Sequence, residues 1–263
     1  MPLERTGLFS VAGKTAVVTG GVKGIGAMVT RALVEAGAEV IAVSRSYAAG
    51  REFVAGLEHA AGRASFLEAD LGTIEGVEKV AAHIADCTPK VHILVNNAGT
   101  FNAAQIEATS ADSWDATMAL NLRAPFFLVE KLMPQLRAAS KPGDPARVIN
   151  IGSIAGLWTK SNFAYAYSAS KGALHHLTRV LASDLTKLGV NVNAIAPGFF
   201  PSDMTAGFFE AVPGLEQQTI DAIPAGRLGT PEDVGGAVLF LTSRAGAYVS
   251  GAVIPLEGGL WSA

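Results

Sequence analysis

Short apolar runs rich in valine and isoleucine alternate along the chain with longer segments of helical period, and the order of the two never changes. A strand that reads as a continuous apolar run is buried on both faces, and a helix between two such strands returns the chain so that the next runs parallel. The pattern therefore specifies a parallel α/β sheet with helices on both sides. Strands are predicted at Lys14 to Thr19, Ala38 to Ser44, Arg63 to Ala69, Val91 to Asn97, Ala146 to Gly152, Val190 to Ala196 and Ala252 to Gly258, seven in all. The first helix is predicted from about Gly24 to Ala36, ending at Gly37, a suitable residue just past a helix. Another starts at Pro231, with Thr230 as cap and Asp233 completing a capping box. Only the stretch from Phe199 to Gly229 breaks the rhythm. It carries four phenylalanines, several breakers and no strand pattern, the texture of a lid or binding loop of about residues 199–229.

Composition narrows the classes further. With 49% hydrophobic and 16% charged residues, the 263-residue chain buries enough apolar surface to fold, and residues 1–263 read as a single domain. The lone Cys87 forms no internal disulfide, and MPLERTGLFS lacks the cationic start and apolar core of a leader, so a cytoplasmic protein is expected. No apolar run reaches the roughly 18 residues of a membrane span. A net charge of −3 without a basic block argues against nucleic acid and for a small-molecule ligand. His59, His83 and His92 are scattered, His175 and His176 read as helix-packing or subunit-contact residues, and no metal is expected.

TGGVKGIG follows the first strand and opens the first helix. Glycines there let the backbone turn sharply and approach a pyrophosphate, whose charge the amides at the helix N-terminus receive. Gly20, Val22, Lys23, Gly24, Ile25 and Gly26 are thus candidates for dinucleotide binding in a variant Rossmann, doubly wound fold, since the spacing is TGxxxGxG. The second strand ends in VSRS, with Ser44, Arg45 and Ser46 where an acidic residue would hold the ribose of NAD. Arg45 and Lys23, with no carboxylate, suit a 2′-phosphate, so NADP(H) is the expected cofactor; the alternative is a solvated arginine at a strand end. Asp70, followed by Leu71, either accepts a hydrogen bond from the adenine amine or caps the next helix.

Tyr167 and Lys171 lie four apart in a segment of helical period, hence on one face. A neighbouring ammonium would favour the phenolate and lower the tyrosine pKa, making Tyr167 a plausible proton donor to a carbonyl. Ser153 ends the fifth strand, where its hydroxyl could hold an oxygen on which charge develops. Asn121, in a helix that does not favour asparagine, implies a specific partner.

TGGVKGIG, NNAG at Asn96 to Gly99, Asn121, Ser153, Tyr167 with Lys171, and PGFFPSDMT after the sixth strand together resemble the short-chain dehydrogenase/reductase family over nearly the whole chain. The resemblance implies a catalytic tetrad: Tyr167 as acid and base, Lys171 binding the nicotinamide ribose and tuning the tyrosine, Ser153 orienting the carbonyl, Asn121 supporting a water-linked proton relay. It also implies that Asn97, Ala98 and Gly99 flank the cofactor, that Pro197 and Gly198 lie beside the nicotinamide, and that Ser202 keeps a hydroxyl where threonine is frequent. The loop from Ser153 to Tyr167 is one residue longer than in many members. A homotetramer is a further implication. PARVINIGSIAG, AYAYSASKGALHHLTRVLASDL and GAVIPLEGGLW look most like bacterial β-ketoacyl reductases of the rhamnolipid-pathway type.

An NADPH-dependent carbonyl reductase is the leading expectation. The alternatives are an alcohol dehydrogenase running in the oxidative direction and a catalytically silent dinucleotide-binding regulator. Trp158 and Phe163 on one side, and Phe199, Phe200, Met204, Phe208 and Phe209 on the other, would give the cleft two aromatic borders. No cluster of Arg or Lys and no dense set of Asn, Asp and Gln accompanies them, so the expected substrate is a ketone or acyl chain with a sizeable apolar part.

Overall fold

The computed structural model describes residues 7–60, 62–159 and 163–261, and only the backbone at Met204 and Phe208. Among the described residues, seven strands form one parallel sheet: β1 (Thr15–Thr19), β2 (Glu39–Ser44), β3 (Arg63–Glu68), β4 (Ile93–Asn96), β5 (Ala146–Ile151), β6 (Val190–Pro197) and β7 (Val253–Leu256). Each lies within a residue or two of its predicted bounds. The spatial order is β3-β2-β1-β4-β5-β6-β7. Val17 of β1 sits opposite Ile41 of β2 and Leu94 of β4, so β1 is central and apolar on both edges.

The helices are α1 (Gly24–Glu35), α2 (Tyr47–Ala55), α3 (Ile74–Cys87), α4 (Ala111–Met118), α5 (Ala124–Ala139), α6 (Tyr165–Leu185), α7 (Asp203–Ala211), α8 (Leu215–Ala222) and α9 (Pro231–Thr242). Side chains alternate across the sheet. Val17 packs toward Val80 of α3, Leu128 of α5 and Ala182 of α6, while its neighbours Ala16 and Val18 join Leu33 of α1 and Val238 of α9. Gly37 has φ 87°, the left-handed residue that ends α1, and the Thr230 amide donates to Asp233 at the start of α9. At the amino ends of the strands, fully buried Arg147 donates to the carbonyls of Leu241 and Ser243 and pairs with Asp144, which fastens the end of α9 to β5.

The expectation of an irregular stretch at residues 199–229 needs correction, because α7 and α8 occupy much of it. Its prolines stand at helix ends: Pro201 precedes α7, Pro213, with Gly214, separates the two helices, and Pro224 follows α8, while Gly207 is accommodated within α7. Ser202 accepts from the Thr205 amide, and the Thr205 hydroxyl accepts from the Ser202 amide, a capping box with threonine in place of glutamate.

Candidate active site

Strand order reverses between β1 and β4, so the loops leaving their carboxyl ends diverge and open a crevice there. A cleft of about 470 Å³ occupies it. The turn after β1 and the start of α1 contribute Gly20, Val22, Lys23, Gly24 and Ile25; Ser44 ends β2 and Arg45 follows it; Asn97, Ala98 and Gly99 follow β4. Ser153 enters after β5, Tyr167 and Lys171 from α6, and Pro197, Gly198, Phe200 and Ser202 from the end of β6.

At one end the glycines are structurally required. Gly20 has φ 62°, and a Cβ on it would lie 2.8 Å from Nδ2 of Asn97. A Cβ on Gly26 would collide with the Gly20 carbonyl, so Gly26 shapes the turn without lining the cleft. Asn97 Nδ2 donates to the carbonyls of Thr19 and Gly20, and the Thr19 hydroxyl accepts from the amides of Asn97 and Ala98. Thr19 was not among the expected site residues, although it heads the glycine motif. The two cations differ: Lys23 pairs with Asp203 across the cleft at 3.3 Å, whereas Arg45 is exposed and has no acidic partner among the described residues. Ser46 caps α2 by accepting from the Ala49 amide. Asp70 neither caps α3, which Thr73 does, nor leaves the site; its Oδ1 accepts from Gly72, and it borders an adjoining pocket with Gly20, Arg45 and Leu71.

At the other end the four predicted catalytic positions converge. Lys171 Nζ donates to the Ile151 carbonyl at 2.8 Å and stands 5.6 Å from the centre of the Tyr167 ring. Ser153 shares a hydrogen bond with the Tyr167 phenol, and its Oγ also accepts from the Ala155 amide. Asn121 is buried in a π-helical turn, Ala119–Arg123, between α4 and α5. Its Oδ1 accepts from Thr100 N, and its Nδ2 donates to Thr100 O and to Ser170 Oγ. The asparagine thereby frames the loop after β4 against α6.

The net shift of Tyr167 runs opposite to the lowering expected beside Lys171, because desolvation dominates. Burial pushes the Tyr167 phenol upward, opposed only by the hydrogen bond with Ser153. The same burial brings Lys171 down to about 8. Phe101, two residues after NNAG and absent from the predicted site, packs edge-on against Tyr167 with ring centres 5.1 Å apart.

The aromatic borders separate. Phe200 lines the cleft and is 3% exposed. Phe199 instead lines a second cavity of about 220 Å³ and packs with Trp158, Leu228, Ile154, Ile223 and Leu260, with Phe209 6.4 Å away. Phe163 is 54% exposed beside Asn102 and Thr109, away from the cleft. Placing Trp158, Phe163 and Phe199 in the cleft wall is therefore corrected, because chain proximity to the cleft did not fix the direction of these side chains. The side chains of Met204 and Phe208 lie outside the described residues.

This crevice, with a glycine-turn cradle at one end and Ser153, Tyr167 and Lys171 at the other, has the layout of a dinucleotide-dependent oxidoreductase. Residues 20–261 match the family model described as enoyl-(acyl carrier protein) reductase. The chain belongs to the short-chain dehydrogenase/reductase family. It is 42% identical over 251 residues to the 3-oxoacyl-acyl-carrier-protein reductase of rhamnolipid biosynthesis from Pseudomonas aeruginosa, covering 95% of this chain and 97% of that protein. It is 36% identical to a galactitol 2-dehydrogenase (L-tagatose-forming) from Cereibacter sphaeroides, covering 96% of each. The solved Pseudomonas aeruginosa RhlG/NADP active-site complex superposes with a TM-score of 0.92 at 40% identity, over 97% of this chain and 98% of that one.

Proposed function

We propose that the protein is an NADPH-dependent carbonyl reductase acting on an apolar ketone or β-ketoacyl substrate. The observation that carries the reading is the single cleft that joins the glycine turn, Arg45, and the Ser153, Tyr167 and Lys171 group, with Phe200 in its wall. The residues present fit NADP(H): positions 20 and 26 admit no side chain, α1 directs its N-terminus at the turn, and Arg45, without an acidic partner among the described residues, suits a 2′-phosphate. A similar protein solved with NADP supports the same choice.

When bound, the nicotinamide supplies a hydride to the carbonyl carbon. Tyr167 donates its proton to the carbonyl oxygen. Burial keeps that proton on the phenol at neutral pH, which suits a donor in the reductive direction. Ser153 holds the carbonyl oxygen through its hydroxyl. Lys171 lies near enough to the ring to stabilise the phenolate left behind, and it binds the cofactor ribose. Asn121 serves the proton relay as a positioning residue, through Thr100 and Ser170. Residues 199–229 cover the substrate as a lid.

The similarity to both an acyl reductase and a polyol dehydrogenase makes substrate polarity the discriminating measurement. Along a series of β-ketoesters, kcat/KM is expected to climb over several carbons by up to about fourfold for each methylene that becomes buried. A flat series, or better turnover of galactitol, overturns the apolar assignment. A trans-2-enoyl thioester serves as the control and should be inert; its reduction would move the protein to enoyl chemistry. We also place the protein in the cytoplasm as a homotetramer, supported by the exposed Phe126 and Val180 beside an apolar groove on α5 and α6. Light scattering that returns a monomeric mass counts against the tetramer.

A further inference from the structure

The turn that carries Ser153 is folded around a side chain from another element. His175 lies four residues beyond Lys171 on α6 and is 2% exposed. Its Nε2 accepts the backbone N–H of Ser153 at 3.4 Å. A Cβ on Gly152 would collide with Nε2, and one on Gly156 would lie 2.9 Å from Cε1. The imidazole thus fills the space that a side chain at position 152 would need, while at position 156 the backbone of Lys171 and Gly172, at 2.6 and 2.7 Å, excludes a side chain before the ring does. The short 3-10 turn Ile154–Gly156 follows directly, its start capped by the Ser153 hydroxyl.

We propose that His175 is a positioning residue for Ser153: a neutral imidazole whose bare Nε2 anchors the serine backbone and so aims its hydroxyl at the substrate carbonyl. With Nε2 accepting, the ring proton resides on Nδ1, which is buried without a hydrogen-bond partner among the described residues, so the anchor is kept at the cost of one unsatisfied donor. Burial, followed by the charges of Lys171 and Arg179 and opposed by the Gly156 backbone, lowers the His175 pKa to about 4, so the ring keeps a free acceptor in neutral solution. A protonated ring would present two donors and lose the Ser153 amide. His175 reaches the chemistry only through Ser153, and the proposal therefore rests on the role given to that serine above.

His175→Leu keeps bulk and removes the acceptor, whereas His175→Gln retains an acceptor oxygen. The leucine variant is expected to lower kcat for ketone reduction about tenfold, the worth of one lost hydrogen bond. Its NADPH affinity by fluorescence titration should stay within about twofold of wild type, and the glutamine variant should recover most of kcat. In a Ser153→Ala background, adding His175→Leu should change kcat by less than about twofold, because the group it positions is already gone. An undiminished further loss in that background, or wild-type kcat in His175→Leu while Ser153→Ala is impaired, overturns the proposal. Equal turnover of wild type and Ser153→Ala overturns the reading of Ser153 itself. Nitrogen NMR of the folded wild-type protein is independent of both variants: His175 should be neutral with its proton on Nδ1 at pH 6, and a proton on Nε2 would refute the anchor.

Discussion

The turn after β1 and the segment after β6 border the same cleft under different constraints. In the first, the glycines answer to the backbone: Gly20 and Gly26 have no room for a side chain, and Thr19 and Asn97 bond the neighbouring polar groups. In the second, Phe199 and Phe200 are adjacent and both line the smaller cavity, yet only Phe200 also meets the cleft. One border is set by backbone geometry and the close approach of Asn97 and Ala98, and the other by what each aromatic ring finds to pack against. Chemistry at the reacting end should therefore fail sharply on single substitutions, whereas changes along the aromatic border should divide into packing losses and near-silent ones.

The largest expected effect is Tyr167→Phe, which removes the proton donor while leaving the ring and Lys171 in place. Turnover should fall by roughly 100- to 10,000-fold with cofactor binding nearly intact. Retention of more than about a tenth of wild-type turnover would mean that another group supplies the proton.

Along the aromatic border, Phe200→Ala should destabilise the fold by about 3 to 5 kcal/mol, because it empties a buried site that is also in contact range of Gly229. Phe163→Ala, on an exposed ring, should stay within about 0.5 kcal/mol and leave kcat/KM unchanged. Urea denaturation of both variants measures the contrast, and equal losses would erase the distinction between the two rings.

Arg45→Asp should reverse the preference for NADPH over NADH, which a charge-assisted hydrogen bond sets at about 10- to 150-fold. If the ratio of kcat/KM values does not move, Lys23 carries the phosphate in exchange for its exposed pair with Asp203.

Smallest are the pH effects. Lys171 falls to about 8 in the buried site, so kcat/KM for NADPH should decline above pH 8 as the ammonium loses its proton, and Lys171→Arg should move that limb upward. On the acid side, the unfolded chain binds a proton at the ordinary histidine pKa of 6.5, whereas folded His175 refuses it until about 4. Stability should therefore be fully present above pH 6.5 and decline as the pH falls toward 4, a trend that His175→Gln should flatten.

The seven strands, the glycine turn and the Tyr167 and Lys171 pair were legible because each depends on residues close in the chain: an apolar run buried on both faces, a backbone that must turn left-handed, two side chains one helical turn apart. The helices α7 and α8 were not, since they are short and their punctuating prolines and glycine resemble a loop. Sequence pattern by itself determined the parallel α/β order and the residues that meet at the carboxyl ends of β1, β4 and β5. Tertiary structure alone decided that Phe200 faces the cleft while Phe163 does not, that Tyr167 holds its proton more tightly, and that His175 stands behind Ser153. Periodicity and turn chemistry are local, whereas burial, desolvation and contact between β5 and α6 depend on partners far along the chain, which no window of sequence contains.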